Sequence, residues 1–489
     1  MRILRVTPLV LLFGLSIPWL ARSEPAKDKA PAGPVSYYRD IRPVFQQHCQ
    51  GCHQPAKPLG GYVMTTFTGV LQAGDSGKPG IVPKQTAKSG LLERILLPKG
   101  HMEAMPKDKD PLPAAEVDKI RRWIAQGAID DTPRSVHDVI DDKHPPVYKL
   151  PPTITSIDFS PDGNILAVAG HHEVLLHKAD GSALVARLVG LSERVQALRF
   201  SPDGKSLAVA GGSPGRFGEI QIWNVQKKRL EQSAPLTFDT LYGVSWSPDS
   251  TKVAFGCADN TIRAIDAATG KQILFQGAHS DLVLGTTFTQ DNENVISISR
   301  DMSMKLTEVK TQRFVDNITS ITPGALKGGL LAVARRPQVK KTIIKGVDGA
   351  DKVYDEVMIG GADGIPRLYK VHRIKQRTIN DDDNRVRIYP ALSGRIFSIR
   401  FSKDGTRFVA GSSLDGKGEV RVFETDSGKP ISKQDATGPV FALAYHPAGK
   451  IVAAAGFDGK VRLLDADSGK VVKEFIPVPL VATKEPRTK

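Results

Sequence analysis

Cysteine is scarce in this chain, with only Cys49, Cys52 and Cys257 among 489 residues. A small, odd number of cysteines excludes a disulfide-dense scaffold, which needs several pairs to hold a small core together. Cys257 falls on a predicted inner strand and is interpreted as a buried, small apolar residue. Cys49 and Cys52 are only three positions apart, a spacing that indicates a different chemical use.

Long hydrophobic runs are lacking after the first twenty residues, so no later segment reaches membrane-spanning length. The early run, Val6–Leu20, follows a basic region with Arg2 and Arg5 and precedes Ala-Arg-Ser at 21–23. This pattern is typical of a cleaved signal peptide. We therefore predict a signal peptide over residues 1–23 and an exported, periplasmic protein that is soluble after cleavage and has no transmembrane segment.

Acidic residues are outnumbered, with 52 Asp and Glu against 67 Lys and Arg, giving a formal net charge of +15. In an exported protein this charge does not indicate nucleic acid as a partner. It favours an acidic redox partner protein or peripheral association with an anionic envelope surface. Diffuse, solvated Lys and Arg side chains with no dedicated partner are the alternative interpretation.

The five residues from Cys49 to His53 read Cys-Gln-Gly-Cys-His, the attachment signature of c-type haem. The two thiols form thioether bonds with the haem vinyl groups, and His53 then lies beside the iron as its proximal ligand. A redox-active dithiol is the alternative, but it needs βαβ surroundings that the flanking sequence lacks. The motif therefore predicts one covalent haem c bound by Cys49 and Cys52.

A sixth iron ligand is expected in the loop before the last predicted helix, where Met105 precedes Pro106. A thioether ligand favours ferrous iron and raises the reduction potential, which suits electron transfer. We therefore predict Met105 as the distal ligand. The sequence leaves four competitors open: His48, Met64, His101 and Met102.

Apolar residues at helical spacing flank the motif on both sides. The first predicted helix has an apolar face of Tyr38, Ile41, Val44, Phe45 and Cys49. The second is predicted from Ala114 to Ala128, with Pro113 in its first turn and Gly127 at its end. Two helices that bracket a haem-binding segment are the plan of a small cytochrome c.

Several short motifs follow one another around the haem signature. They are Tyr-Arg-Asp-Ile-Arg-Pro-Val-Phe at 38–45, Gly60-Gly61, Ser89-Gly90-Leu91-Leu92, Met105-Pro106, and Arg-Trp-Ile-Ala-Gln-Gly-Ala at 122–128. Residues 36–130 thus resemble the planctomycete-type cytochrome c domain, although Lys107 stands where that family usually continues with a second proline. The resemblance implies a small all-α domain that binds haem and transfers electrons.

Internal repeats dominate the rest of the chain. Phe-Ser-Pro-Asp-Gly begins at Phe159 and Phe200, and degenerate copies begin at Trp246, Phe288, Phe401 and Tyr445. The first four copies are 41, 46 and 42 residues apart and the last two are 44 apart, the period of four-stranded propeller blades. Pro-Asp-Gly also supplies the turn geometry that β-hairpins require.

These repeats resemble the WD-repeat family with a degenerate Trp-Asp signature. The 113 residues from Phe288 to Phe401 hold one further repeat, whose first and third strands are predicted at Leu330–Ala334 and Arg367–Val371. We therefore predict a multidomain protein in which an all-β, seven-bladed propeller over residues 151–480 follows the cytochrome domain. Specific binding is expected to concentrate in three insertions: Gly211–Gly218, Lys340–Lys352 and Lys375–Leu392.

The remaining segments are polar. Residues 24–35 are predicted to be a flexible segment, residues 131–150 a linker, and residues 481–489 a basic tail.

Three other features invite a site assignment but have structural interpretations. His279 is expected to hydrogen-bond Asp301, as a structural His of WD repeats does. His171 and His172 are expected on opposite faces of a strand, which argues against a shared metal ion. The acidic residues at 381–383 are interpreted as a solvated loop.

An electron carrier is the leading hypothesis: one haem transfers single electrons and the propeller docks a redox partner protein. The alternatives are a redox enzyme, an oxidoreductase with a second cofactor in the propeller, and a haem-based redox sensor or scaffold. No catalytic residue is assigned. An enzyme would bring a His, or a cluster of Arg, Trp and Asp, to the central channel, and the sequence shows no such repeated set.

Overall fold

The structure is a computed structural model that describes residues 33–54, 57–107, 109–133, 140–322, 326–337, 342–378 and 381–481. The predicted signal peptide lies outside the described residues, as do most of the segment 24–35 and of the basic tail 481–489. The described residues from Val35 onward belong to one compact unit. No helix among them is long and apolar enough to cross a membrane.

A helical region, from Val35 to Ala128, precedes the sheets. Its elements are a π-helical turn (Tyr37–Ile41), α1 (Arg42–His48), α2 (Phe67–Leu71), α3 (Gly90–Ile95), α4 (Ala114–Ala125), and 3₁₀ turns at Leu59–Gly61 and Thr86–Lys88. It also contains a short hairpin of β1 (His53–Gln54) and β2 (Lys57–Pro58), which the all-α prediction omits.

The helix α4 buries one face because its apolar residues recur every three or four positions. Val117, Ile120, Trp123 and Ile124 are buried in the core of the helical region. The helix ends at Ala125, three residues before the predicted end, because Gly127 adopts a left-handed φ of 111°. Pro113 precedes the first turn instead of lying in it.

Most of the described chain forms antiparallel sheets, which we call sheets A to F. Sheet A has seven strands: β3 (Ile157–Phe159), β4 (Ile165–Ala169), β5 (His171–Lys178), β6 (Leu184–Phe200), β7 (Ser206–Ser213), β8 (Phe217–Asn224) and β9 (Arg229–Thr237). Sheet B is β10 (Leu241–Trp246), β11 (Lys252–Cys257), β12 (Ile262–Asp266) and β13 (Gln272–Gln276). Sheet C is β14 (Val283–Phe288), β15 (Asn294–Ser299), β16 (Met304–Glu308) and β17 (Phe314–Asn317).

The other sheets follow the same up-and-down order. Between the strands of sheet D a separate hairpin is inserted, formed by β19 (Ile343–Lys345) and β20 (Asp351–Val353). Sheet D is β18 (Leu330–Arg335), β21 (Glu356–Gly361), β22 (Arg367–Lys370) and β23 (Arg385–Ile388). Sheet E is β24 (Arg395–Phe401), β25 (Arg407–Leu414), β26 (Lys417–Glu424) and β27 (Pro430–Ala436). Sheet F is β28 (Val440–Tyr445), β29 (Ile451–Gly456), β30 (Val461–Asp465) and β31 (Val471–Phe475).

The repeated Phe-Ser-Pro-Asp-Gly motif forms the turn between the first two strands of a repeat. The Ser160 hydroxyl donates to Asp162 at 2.5 Å and accepts from the Ile165 main-chain N–H at 2.9 Å. Gly163 supplies the left-handed φ of 78° that the turn needs. The Ser201–Asp203 pair repeats this arrangement at 2.6 Å. The periodicity in sequence thus reflects a repeated turn.

The first strand and the third strand predicted for the fifth repeat are confirmed by β18 and β22. The hairpin β19–β20 explains the insertion predicted at Lys340–Lys352. The first two repeats have no turn between them, because one continuous strand, β6, belongs to both. Its first half pairs with β5 and its second half with β7.

The first and last sheets are in contact. The main-chain N–H of Ile154 donates to Gly456 O at 2.9 Å. Ile157 and Leu166 share one buried cluster with Ala453 and Val461. Sheets A and F therefore pack together although they lie at opposite ends of the repeats in the chain.

His279 hydrogen-bonds Asp301 as predicted, with Nδ1 2.9 Å from a carboxylate oxygen and Nε2 2.8 Å from the Ser297 hydroxyl. The paired His171 and His172 differ from expectation. Their rings are 4.6 Å apart, because the pairing of β5 with β6 shifts register between His171 and Glu173 and His172 adopts a positive φ of 60°. Adjacent residues alternate faces only in a regular strand.

The acidic residues at 381–383 form the expected solvated loop only in part: Asp383 is exposed, but the other two are in ion pairs. Asp381 accepts from Arg373 at 3.1 Å, and only 4% of its side chain is exposed. Asp382 forms an ion pair with Arg385 at 2.6 Å. The neighbouring arginines thus neutralise Asp381 and Asp382. Cys257, in contrast, is fully buried on β11 as predicted, and burial raises its pKa to about 12.

Candidate haem site

The predicted haem residues meet at one cavity of about 520 Å³ in the helical region. Cys49, Cys52, His53 and Met105 all line it. Leu91, Ile95 and Leu112 add apolar lining from later parts of the helical region. The cavity therefore combines the two thiols, an imidazole and a thioether in a mostly apolar enclosure.

The helix α1 delivers the two cysteines to the cavity. Cys49 follows its last residue, and the Cys49 N–H donates to Phe45 O at 2.9 Å. The next turn continues the same curvature, because the N–H groups of Cys52 and His53 both donate to Cys49 O at 3.1 Å. All three cysteines of the chain are free thiols. Burial raises the pKa of Cys49 to about 12, so its sulfur stays protonated at neutral pH.

His53 is held by the loop that follows it. Its Nδ1 lies 3.2 Å from the main-chain oxygen of Tyr62. A hydrogen bond from Nδ1–H to a carbonyl leaves the electron pair of the neutral ring on Nε2. Burial lowers the pKa of His53 below its usual range, so the ring is neutral near pH 7. A neutral imidazole with an oriented Nδ1–H is the form that binds a metal ion.

The candidates for the sixth iron ligand differ in whether they line the cavity. Met105 is half-buried and lines it, and Met64, which is only 1% exposed, lines it as well. Met102 is 79% exposed and His101 is exposed too, and neither is among the lining residues. His48 lines the cavity, but its Nε2 is 3.2 Å from Glu116. Met105 and Met64 are therefore the two thioethers within the described part of the site.

Several family models match parts of the chain. Residues 49–109, which include the four predicted haem residues, match the model described as "Planctomycete cytochrome C". Residues 145–178 and 233–266 match the model "WD domain, G-beta repeat", and residues 432–480 match "Anaphase-promoting complex subunit 4 WD40 domain". A planctomycete-type cytochrome c domain is joined to WD repeats in this chain. We therefore call the helical region the cytochrome domain and sheets A to F the WD region.

Curated proteins similar to parts of this chain come from eukaryotes. Actin-interacting protein 1 of Drosophila melanogaster is 44% identical over 70 residues, 14% of this chain and 11% of its own length. WD repeat-containing protein 91 homolog of Dictyostelium discoideum is 28% identical over 84 residues, 17% and 11% of the two chains. Periodic tryptophan protein 2 of Arabidopsis thaliana is 23% identical over 255 residues, 52% and 25%. The matches span at most a quarter of these relatives' lengths.

One wall of the haem cavity comes from the WD region. Ser233 and Pro235, on strand β9, line the cavity together with the cysteines. Gly51, between the two cysteines, packs directly against this strand: a Cβ added there would lie 2.8 Å from Pro235 Cδ and 2.8 Å from Ser233 O. Only glycine fits at this point of the haem motif.

The contact between the cytochrome domain and strand β9 of the WD region, which we call the junction, also includes polar contacts on either side of Gly51. Lys57 Nζ donates to Gln232 Oε1 at 3.3 Å, next to the same strand β9 residues. Arg216 donates to the Tyr38 hydroxyl at 2.9 Å, and its guanidinium carbon lies 5.7 Å from the centre of that ring. Arg216 belongs to the turn Gly211–Gly218, one of the insertions in which binding was expected. No sequence signal indicates that its partner is the cytochrome domain.

Replacing Gly51 with alanine is expected to destabilise the protein by about 1–3 kcal/mol, because the new methyl group overpacks the junction with β9. Thermal unfolding followed by calorimetry would show the lower transition temperature. Gly277→Ala is the matched control, since a Cβ at Gly277 meets nothing within 4 Å. Equal stability of the two variants would contradict a tight junction at Gly51.

Proposed function

We propose that this protein is an exported c-type cytochrome that carries one covalent haem c and transfers single electrons, with a seven-bladed propeller that docks a redox partner protein. The observation that carries the proposal is that Cys49, Cys52, His53 and Met105 line a single cavity. The residue types of the haem motif and the thioether are together the donor set of a low-spin cytochrome c.

The residues present fit a haem. Two thiols lie three positions apart on one turn of chain, and the Nδ1 of the following His53 faces a carbonyl, which leaves Nε2 for a metal ion. Cationic side chains also line the cavity, and they would suit the two haem propionates: Lys78, Arg94, Lys107 and Lys109. Asp75 is the acidic residue among the described lining residues. The cavity thus offers apolar walls for the porphyrin and positive charge for its carboxylates.

The bound haem would supply a one-electron redox couple; the chain's residues set its surroundings. Cys49 and Cys52 would hold it covalently, and Tyr62 O would keep the His53 ring in one orientation. Met105 would supply a thioether ligand to the iron, which would favour its reduced state. Leu91, Ile95 and Leu112 would exclude water, and Pro235 would cover the side beside Gly51.

A closed seven-bladed propeller is supported by two features of the WD region. Sheet A divides at β6 into two blade-like halves, which with sheets B to F gives seven units. The first and last of these share a buried cluster, which is what ring closure requires. Closure would leave few free strand edges and a broad, rigid face for a partner.

Export to the periplasm follows from the predicted signal peptide and from the maturation chemistry of c-type haem. The net charge of +15 favours an acidic partner protein or peripheral association with the envelope, and we propose no nucleic acid partner. We assign no catalytic residue, because the cavity residues are accounted for by haem binding.

Ferric-state optical spectra of the purified protein test the electron-carrier proposal. We expect a Met–iron charge-transfer band that disappears in Met105→Ala and persists in Met64→Ala, because the two thioethers compete for one position. If the band is lost in Met64→Ala but not in Met105→Ala, the sixth iron ligand is Met64 instead of Met105. A wild-type protein without any such band would overturn the electron carrier in favour of a sensor or an enzyme with an open coordination site.

A further inference from the structure

A second cavity, of about 660 Å³, lies where the first strands of the WD repeats come together. Every repeat contributes to its lining, from Thr155 ahead of β3 to Leu443 on β28. A volume of this size is typical of a small-molecule site. The haem residues do not line it, so the two cavities are separate.

Five residues with polar or charged side chains occupy equivalent positions on the first strands of five repeats and line this cavity; we call them the polar level. Each is the residue before the aromatic that ends the strand in its repeat: Asp158, Arg199, Ser245, Thr287 and Arg400. Trp246 lies beside them and donates its Nε1–H to Arg199 O at 2.9 Å. The sequence shows no repeated set of Arg, Trp and Asp, but single residues of these three types meet at this cavity.

In both guanidinium groups, Nη1 is the nitrogen that donates to protein acceptors among the described residues. Arg400 Nη1 donates to Ile399 O at 2.6 Å, and its Nε is buried without any partner among the described residues. Arg199 Nη1 donates to Leu198 O at 2.5 Å, and it also lies 3.3 Å from the Ser156 hydroxyl and 3.5 Å from Ile157 O. No carboxylate in the described part of the chain lies within 4.0 Å of either side chain. Buried N–H donors are normally satisfied, so these groups indicate an acceptor from outside the protein.

A second level, with mostly apolar side chains, lies two or three positions earlier on the same strands. Each member is the extra residue at a register shift, a β-bulge that faces the cavity: Gln196, Gly243, Leu284, Leu331, Phe397 and Phe441. Phe397 and Phe441 are in edge-to-face contact, with ring centres 5.2 Å apart. Three residues of strand separate this level from the polar one by about 10 Å.

We infer that this cavity binds a small organic anion, with its oxyanion group at Arg199 and Arg400 and its apolar body beside Phe397 and Phe441. Guanidinium forks match the geometry of carboxylate, phosphate and sulfonate oxygens, which are therefore the head groups that fit. The hydroxyls of Ser245 and Thr287 lie at the same level as further donors. Two charged side chains and two aromatic rings about 10 Å apart define a ligand of amphipathic shape.

Asp158 makes the affinity depend on pH. Burial raises its pKa to about 6, against the opposing charge of Arg199. The other charged groups of the described lining are Arg199 and Arg400, and Tyr242, whose pKa burial raises, stays neutral below pH 7. Asp158 therefore loses its negative charge between pH 7 and pH 5, and an anion should bind more tightly as the pH falls.

Calorimetric titration of the full-length, haem-loaded protein tests the site. The probes are 3-phenylpropanoate, its uncharged amide, 2-phenylethanesulfonate and inorganic phosphate. We expect the two phenyl acids to bind at least about tenfold more tightly than the amide, and Arg400→Gln to weaken them by about tenfold, the value of one charged hydrogen bond. Arg400→Lys should retain part of the affinity, which distinguishes lost charge from lost fold. Arg313→Gln, an exposed position, is the matched control.

The pH dependence of binding is measured with 2-phenylethanesulfonate, because its sulfonate group stays charged from pH 5 to pH 7. Its dissociation constant should fall by roughly tenfold as the pH is lowered over that range, because one negative charge near the oxyanion is removed, and Asp158→Asn should abolish the change. Binding that is absent, or that is unaffected by Arg400→Gln, would overturn the proposal. Phosphate that binds as tightly as the phenyl acids would overturn the part assigned to Phe397 and Phe441.

Discussion

Protein in which serine replaces both Cys49 and Cys52 is expected to carry no covalent haem. A serine hydroxyl does not add to a haem vinyl group as a thiol does, so no thioether can form. His53 and Met105 would remain in the cavity, but two axial ligands alone do not survive denaturation. After expression in a host that matures c-type cytochromes, peroxidase staining of a denaturing gel should give a band for the wild type and none for the double variant.

Cys257→Ala is the control for this prediction, because Cys257 is buried on β11 in sheet B, away from the haem cavity. It should keep the full staining intensity. A stained band that persists in the double variant would show that the haem is held by other residues. A wild-type protein that does not stain would remove the basis of the electron-carrier proposal.

That the residues of the predicted haem motif line one cavity could be predicted, because they are close together in sequence. Two thiols and an imidazole within five residues need one turn of chain to face a common cavity, and the turn after α1 provides it. The repeats were predictable for a similar reason, since each Ser–Asp pair fixes its own turn, as Ser160 does with Asp162. The His279–Asp301 hydrogen bond follows from the same repeat pattern.

The junction between the cytochrome domain and the WD region could not be predicted from the sequence. Pro235 closes the haem cavity from a position 184 residues after Gly51, and nothing local to either residue indicates the other. The polar level of the second cavity did leave a signal. Aligning the repeats on their terminal aromatic puts Asp158, Arg199 and Arg400 in one column, and charged residues at equivalent positions are unusual in the lining of a buried cavity.

Replacing Arg187 with alanine is expected to destabilise the WD region by about 3–5 kcal/mol, because a buried carboxylate loses its partner. Glu173 has none of its side chain exposed, and Arg187 binds it through two hydrogen bonds of 2.6 and 2.8 Å. The Tyr148 hydroxyl donates to the same carboxylate at 2.7 Å. Chemical unfolding followed by circular dichroism of the β-sheet signal would measure the loss.

Tyr148 connects the Glu173 carboxylate to the end of the WD region. It pairs with Leu480 in a parallel bridge, and Val481 N–H donates to Tyr148 O at 3.0 Å, so the Glu173 network joins the two ends of the WD region. Arg300→Ala removes a solvent-exposed ion pair with Asp281 and is expected to cost less than about 1 kcal/mol. Equal losses in the two variants would mean that the Glu173 carboxylate finds another partner, and that the ends of the WD region are held by apolar contacts of Tyr148 and Val478 instead.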